Sequence, residues 1–103
     1  MNKNRIELKL LADAAEKGNV TELQKLVEGT LLPTWNAQKC LRATNDYGMA
    51  LLHIASHHGQ LQVVRYLLQQ RATVDCLSAG KMIALHCAAH NGHVAVAREL
   101  AKA

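Results

Sequence analysis

A chain of 103 residues, half of them apolar, can bury one modest core, and with aromatics at only 3% that core must be built from Leu, Val and Ala. No run of about 18 apolar residues is available to span a bilayer, and nothing at the start reads as a charged, apolar and small-residue leader. The formal charge of +4 is uneven: residues 1–38 hold five Lys/Arg and five Asp/Glu, and residues 39–103 hold seven against three, dispersed and with no aromatic stripe beside them. Cys40, Cys76 and Cys87 are odd in number and scattered, with no C-x-x-C, which argues against a disulfide framework and predicts an intracellular, cytoplasmic or nuclear setting.

Ile6, Leu10, Leu11, Ala14 and Ala15 share one helical face while Lys3, Arg5, Glu7, Lys9 and Glu16 lie mostly elsewhere, so the first element is an amphipathic helix that Gly18 can end. Asn19-Val20-Thr21-Glu22 then reads as a capping box, opening a second helix through Leu23, Leu26 and Val27 to Gly29. In Thr30–Asn36 a proline, Pro33, stops any helix, and Ala37–Arg42 can add a short helical turn after it. Asn45 or Asp46 can brace a turn with a side-chain oxygen and Gly48 can take a positive φ, which predicts a hairpin tip at Asn45-Asp46-Tyr47-Gly48.

From there the chain repeats itself. His53 falls on His86, Ala55 on Ala88, Gly59 on Gly92, Val63 on Val96 and Leu67 on Leu100, every separation being 33 residues, the mark of a stacked array. Gly59 and Gly92 stand where one helix must stop in a left-handed residue so that a second can fold back, and the small pair Ala88-Ala89 lets neighbouring helices approach closely. One such hairpin cannot bury its apolar side alone, whereas stacked copies share a continuous core.

Leu52-His53-Ile54-Ala55-Ser56, Gly59, Val63 to Leu68 and Ala72-Thr73-Val74-Asp75, with Leu85 to Ala89, Gly92-His93 and Val96 to Leu100, resemble the ankyrin repeat and its T-P-L-H-x-A-A, glycine, V-V-x-L-L-L and G-A-D-V-N pattern. The resemblance implies an all-α fold, an ankyrin-repeat solenoid of about three stacked helix-turn-helix repeats with hairpin-like tips. It would form a single domain over 1–103, with a degenerate N-terminal repeat at 1–29, an insertion loop at 30–44, a second repeat at 45–77 and a third, truncated repeat at 78–103. Gly18 to Gly59 is 41 residues rather than 33, which places eight extra residues in that insertion. The chain departs from the pattern in three places. Ala50-Leu51 replaces Thr-Pro, Arg71 replaces the helix-ending glycine and is expected in a left-handed state unless the helix ends differently, and Gly80 moves the third turn glycine one place early.

Histidines four apart (His53/His57, His86/His90) and three apart (His90/His93) have zinc-chelating spacing, and His57, His58 and His90 have no role in the repeat pattern. His53, His86 and His93 coincide with repeat histidines that the family uses to tie turns together, and no cysteine stands at the spacing of a zinc module, so neither metal nor cofactor is expected. There is no Gly-rich phosphate loop, no G-x-S-x-G and no H-E-x-x-H, and Cys87 occupies an apolar repeat position where an inert thiol is favoured, so no residue is assigned a catalytic role.

What remains, by resemblance and by exclusion, is a protein–protein interaction module within a larger protein, gripping another protein with its tips and concave helical face. Carried over position by position, the tips offer Asp46, Tyr47 and Met49 in the second repeat and Ala79, Gly80 and Met82 in the third, while the helix ends offer His57, His58, His90 and Asn91. Trp35 joins them as the only tryptophan, set in the long loop, with covering its own core as the competing role. The runner-up is a basic module binding nucleic acid or another polyanion, no membrane is expected as a partner, and the end of the stack around Val94, Val96 and Leu100 invites self-association.

Overall fold

The computed structural model describes residues 3–28, 37–45, 48–78 and 80–103. The elements are α1 (Lys3–Lys17), α2 (Val20–Val27), α3 (Ala37–Arg42), α4 (Leu51–His57), α5 (Leu61–Gln69), α6 (Ala84–His90) and α7 (Val94–Lys102), and the only β pairing among the described residues is an isolated bridge between Thr44 and Ala50. Three antiparallel pairs, α1/α2, α4/α5 and α6/α7, stack side by side, so that α1, α4 and α6 form one layer and α2, α5 and α7 the other. None of these helices is long and apolar enough to cross a membrane.

The turn inside each pair is made at a glycine with positive φ: Gly18 at 75°, Gly59 at 70° and Gly92 at 73°. Asn19 caps α2, its side-chain oxygen accepting the Glu22 N–H at 3.1 Å while its amide donates to the Glu22 carboxylate at 3.2 Å. The helical turn expected at Ala37–Arg42 is present as α3, and it joins the core, because Cys40 is fully buried against α2. Gly29, Pro33 and Trp35, with the rest of Gly29–Asn36, lie outside the described residues, as do Asp46, Tyr47 and Ala79.

Burial grades along the stack. α4, sandwiched between α1 and α6, buries every residue from Leu51 to Ser56, whereas α6 buries only Ala84, Cys87 and Ala88. Ser56 tolerates its burial because its hydroxyl donates to the Leu52 carbonyl at 2.6 Å. Leu11, Leu23, Leu26, Leu51 and Leu67 are all but inaccessible, and each contributes about 1.5–3 kcal/mol relative to an exposed side chain. Leu10, expected on the buried face of α1, is 42% exposed, since Leu11, Ala14 and Ala15 fill the contact of that helix with α2 and α4. The Tyr66 hydroxyl is buried with no hydrogen-bond partner among the described residues; burial first, then the Glu28 charge, pushes its pKa up.

Among the described residues two that are not glycine adopt positive φ, Arg71 at 65° and Lys81 at 60°. Arg71 closes α5 in the left-handed conformation expected where a glycine is missing, its N–H bonding Leu68 O at 3.0 Å. Lys81 corrects the reading of Gly80 as a turn glycine shifted by one place: Gly80 takes no positive φ, and the left-handed residue stays in register with Gly48, occupied by a lysine. The hydrogen bonds of the tip require that register, so the backbone of Lys81 bears the strain instead. Arg71→Gly is therefore expected to stabilise the fold by about 0.5–1 kcal/mol, the relief of strain outweighing the freer unfolded chain. A melting curve unchanged or lowered by this substitution would show that Arg71 is unstrained.

Candidate partner-binding cleft

The tips before α4 and α6 are built alike. At the first, Asn45 N–H bonds Met49 O at 3.0 Å, Gly48 N–H bonds Asn45 O at 2.9 Å, and the Asn45 side-chain oxygen accepts the Met49 N–H at 3.0 Å. At the second, Ser78, Lys81 and Met82 make the same three bonds at 3.0, 2.9 and 3.3 Å, with the Ser78 hydroxyl in place of the Asn45 amide. The Nδ1 atoms of His53 and His86 accept the N–H of Ala50 and Ile83, at 3.1 and 3.4 Å.

His53 also holds one tip to the next. Its Nδ1 being the acceptor, the proton is on Nε2, which donates to Cys76 O at 2.8 Å and Met82 O at 3.0 Å. A second tie runs between interhelical turns: His93 Nε2 donates to His57 O at 3.0 Å, and Gln60 Nε2 donates to Glu16 O at 2.8 Å at the equivalent place one unit earlier. Gln60 thus does the work of the repeat histidine, as its position one residue after the turn glycine implies.

These ties set the tips and the α4 and α6 ends around a cleft of about 430 Å³. Ala12, Met49, Ile54, Met82 and Cys87 supply apolar surface, and Glu16, Asn45, His57, His58, Ser78, His90 and Asn91 supply polar groups. Six candidates from the sequence, Met49, His57, His58, Met82, His90 and Asn91, are thereby brought to one place, while Trp35, Asp46 and Tyr47 are outside the described residues. The His57 ring meets His58 edge-on at 4.9 Å between centroids, its Nδ1 accepts from Asn91 Nδ2 at 3.0 Å, and Asn91 Nδ2 also reaches Cys87 O at 2.8 Å. His58 Nε2 stands 4.0 Å from a Glu16 carboxylate oxygen.

Two expectations change. Met49, read from the sequence as a residue the tip offers to a partner, is half-buried and packs against the core, so it anchors the tip as well as facing the cleft; Met82 is half-buried too. Glu16 was not expected at all. The signal was present, since Glu16, His57 and His90 each stand two residues before a turn glycine, but the 41-residue spacing from Gly18 to Gly59 hid that register. Among the described residues no lysine or arginine lines the cleft, so their basic excess does not gather there and lends no support to a polyanion surface.

Among the described residues no three or more His, Cys, Asp or Glu side chains converge to hold a metal ion. Cys87 is buried and burial pushes its thiol pKa up, the opposite of what a nucleophile needs. With iodoacetamide under native conditions, Cys76, which is partly exposed, is expected to react first, and Cys40 and Cys87 only at the rate of unfolding. Rapid labelling of Cys87 in the folded protein, read by peptide mass spectrometry, would show that the cleft floor is open.

Antiparallel helical pairs, glycine turns in left-handed conformation and histidine-tied tips at a constant register together define one class of protein. The ankyrin-repeat family model (three copies) matches residues 9–103, and the chain belongs to that family, whose members are protein-binding modules, generally without enzymatic activity. A chain in the solved complex of the predatory endopeptidase Bd0816 from Bdellovibrio bacteriovorus with immunity protein Bd3460 is similar at 31% identity and a TM-score of 0.79. The match covers 91% of the present chain and 45% of that chain, so this protein spans less than half of its length. No curated protein sequence matches the chain significantly.

Proposed function

We propose that the protein is a binding module that holds a segment of another protein in the cleft between its tips and the ends of α4 and α6, and that it acts by binding alone. The observation that supports this most is the convergence of Met49, Met82, His57, His58, His90 and Asn91 on one largely apolar cleft. Methionines adapt to irregular apolar side chains and imidazoles donate or accept hydrogen bonds, so the fitting partner is a loop or extended segment with an apolar anchor flanked by polar groups. A complex between two proteins in the Bdellovibrio structure is in keeping with this reading. A reducing intracellular setting is proposed with it, since Cys76 and Cys87 are thiols.

Photo-crosslinking from a residue placed at His90, with mass spectrometry to identify the captured protein, followed by titration of that purified partner, tests the reading. Met82→Ala with His90→Ala is expected to weaken binding by roughly 2–3 kcal/mol while the helical circular dichroism is kept, and Gln69→Ala on α5 to leave binding unchanged. Affinity is expected to change little with added salt, where a polyanion would show a steep loss. Equal weakening by Gln69→Ala, or none by the cleft pair, would put the contact surface elsewhere.

A further inference from the structure

Among the described residues that line the cleft between the tips and the helix ends, Glu16 alone carries a fixed charge. Its carboxylate makes no hydrogen bond among the described residues, and its one ionic contact there, His58 Nε2, stands at 4.0 Å. A second acceptor belongs to the same cleft. Asn91 Nδ2 donates to Cys87 O at 2.8 Å and to His57 Nδ1 at 3.0 Å, and since a carbonyl can only accept, these bonds fix the orientation of the amide. Asn91 Oδ1 is thereby left without a donor among the described residues. The helices add to the same sign. α1, α4 and α6 all end at the cleft, with Glu16, His57 and His90 in their last turns, so the negative ends of three helix dipoles meet there. Glu16 O and His57 O already accept from Gln60 Nε2 and His93 Nε2, so these ends act through their field rather than as free acceptors. A chain of formal charge +4 thus holds one electronegative cleft, floored by apolar side chains.

We propose that the cleft selects a basic segment of its partner, one that carries an arginine beside an apolar residue. The guanidinium pairs with the Glu16 carboxylate and takes Asn91 Oδ1 as a further acceptor, while the apolar neighbour and the arginine stem lie on Met49, Ile54 and Met82. A planar fork of five donors can serve two separate acceptors at once, which a single ammonium group does less well. An acidic segment would meet the Glu16 charge and find no lysine or arginine to receive it. This assignment rests on the reading of the cleft as a protein-binding site and adds to it the chemistry of the segment bound.

The test selects random linear peptides displayed on phage against the immobilised chain and, in parallel, against Met82→Ala with His90→Ala. Peptides that bind the chain and not the double variant are expected to carry arginine next to an apolar residue. For a synthetic peptide of that set, Glu16→Gln is expected to weaken binding roughly fivefold and Glu16→Lys by more than about tenfold. Glu28→Gln, beside the end of α2 in the other layer, is expected to leave binding unchanged. Melting temperatures are expected to stay the same in all three variants, because both carboxylates are exposed. With glutamate in place of the peptide's arginine the order is expected to reverse, Glu16→Lys binding it more tightly than the original chain does. Cleft-dependent peptides without arginine, or with no response to Glu16, overturn this inference and leave the cleft standing as a binding site. Peptides that bind the chain and the double variant alike, or no selected peptide at all, count against the cleft itself and overturn both readings.

Discussion

Replacing His53 by alanine is expected to cost roughly 3–4 kcal/mol of stability, far more than any other single histidine change in this chain. The side chain is 1% exposed and makes three hydrogen bonds, one closing the start of α4 and two reaching across to Cys76 O and Met82 O. Alanine keeps none of them, takes the imidazole donor from the Cys76 carbonyl, leaves Met82 O with the Ser78 N–H alone and opens a cavity in the most enclosed helix of the stack. Against a total of about 5–15 kcal/mol for a domain of this kind, the loss is expected to lower the melting temperature by on the order of 15 °C. His86→Ala is the internal control. It occupies the same register but is exposed and makes one long bond of 3.4 Å, so its cost is expected to stay below about 1 kcal/mol. Equal melting temperatures for the two variants would mean that the bridge from His53 to the next tip contributes nothing.

Gly59→Ala and Gly92→Ala form a second matched pair. Both glycines have φ near 70°, at 70° and 73°, so an added methyl group strains the backbone at either one, by about 1 kcal/mol. At Gly59 the methyl also meets the His93 ring, and moving that ring breaks its bond to His57 O, bringing the expected cost to roughly 2–3 kcal/mol. At Gly92 nothing stands in the way, so the backbone strain is the whole cost. Denaturant midpoints at constant slope measure the difference directly. Finding no difference would show that the roof over Gly59 gives way freely.

The repeat period, the glycine turns and the amphipathic faces were legible in the residues because each rests on local chemistry. A helical face needs only its own spacing of apolar residues, and a left-handed turn needs only a residue that tolerates it. Asn19 as the cap of α2 and the short helix at Ala37–Arg42 were readable for the same reason. So were half of the cleft residues, once a register of 33 carried each position of one unit onto the next.

Contacts between units were not legible in this way. That Gln60 stands in for a repeat histidine, that Glu16 faces His58 across the cleft, and that Met49 serves the core as well as the tip depend on how neighbouring pairs dock, and docking joins residues far apart in the chain. The lysine at the left-handed position of the third tip shows the same limit from the other side. Local preference would put the glycine there, one residue away, yet the hydrogen bonds of the tip and its tie to His53 hold the register, and the backbone of Lys81 takes the strain. Sequence alone therefore determined the kind of unit and its repetition, because those are set within a single helical hairpin. Tertiary structure decided which side chains line the cleft and which ties join the units, because a hydrogen bond between units forms only when two whole hairpins have already packed.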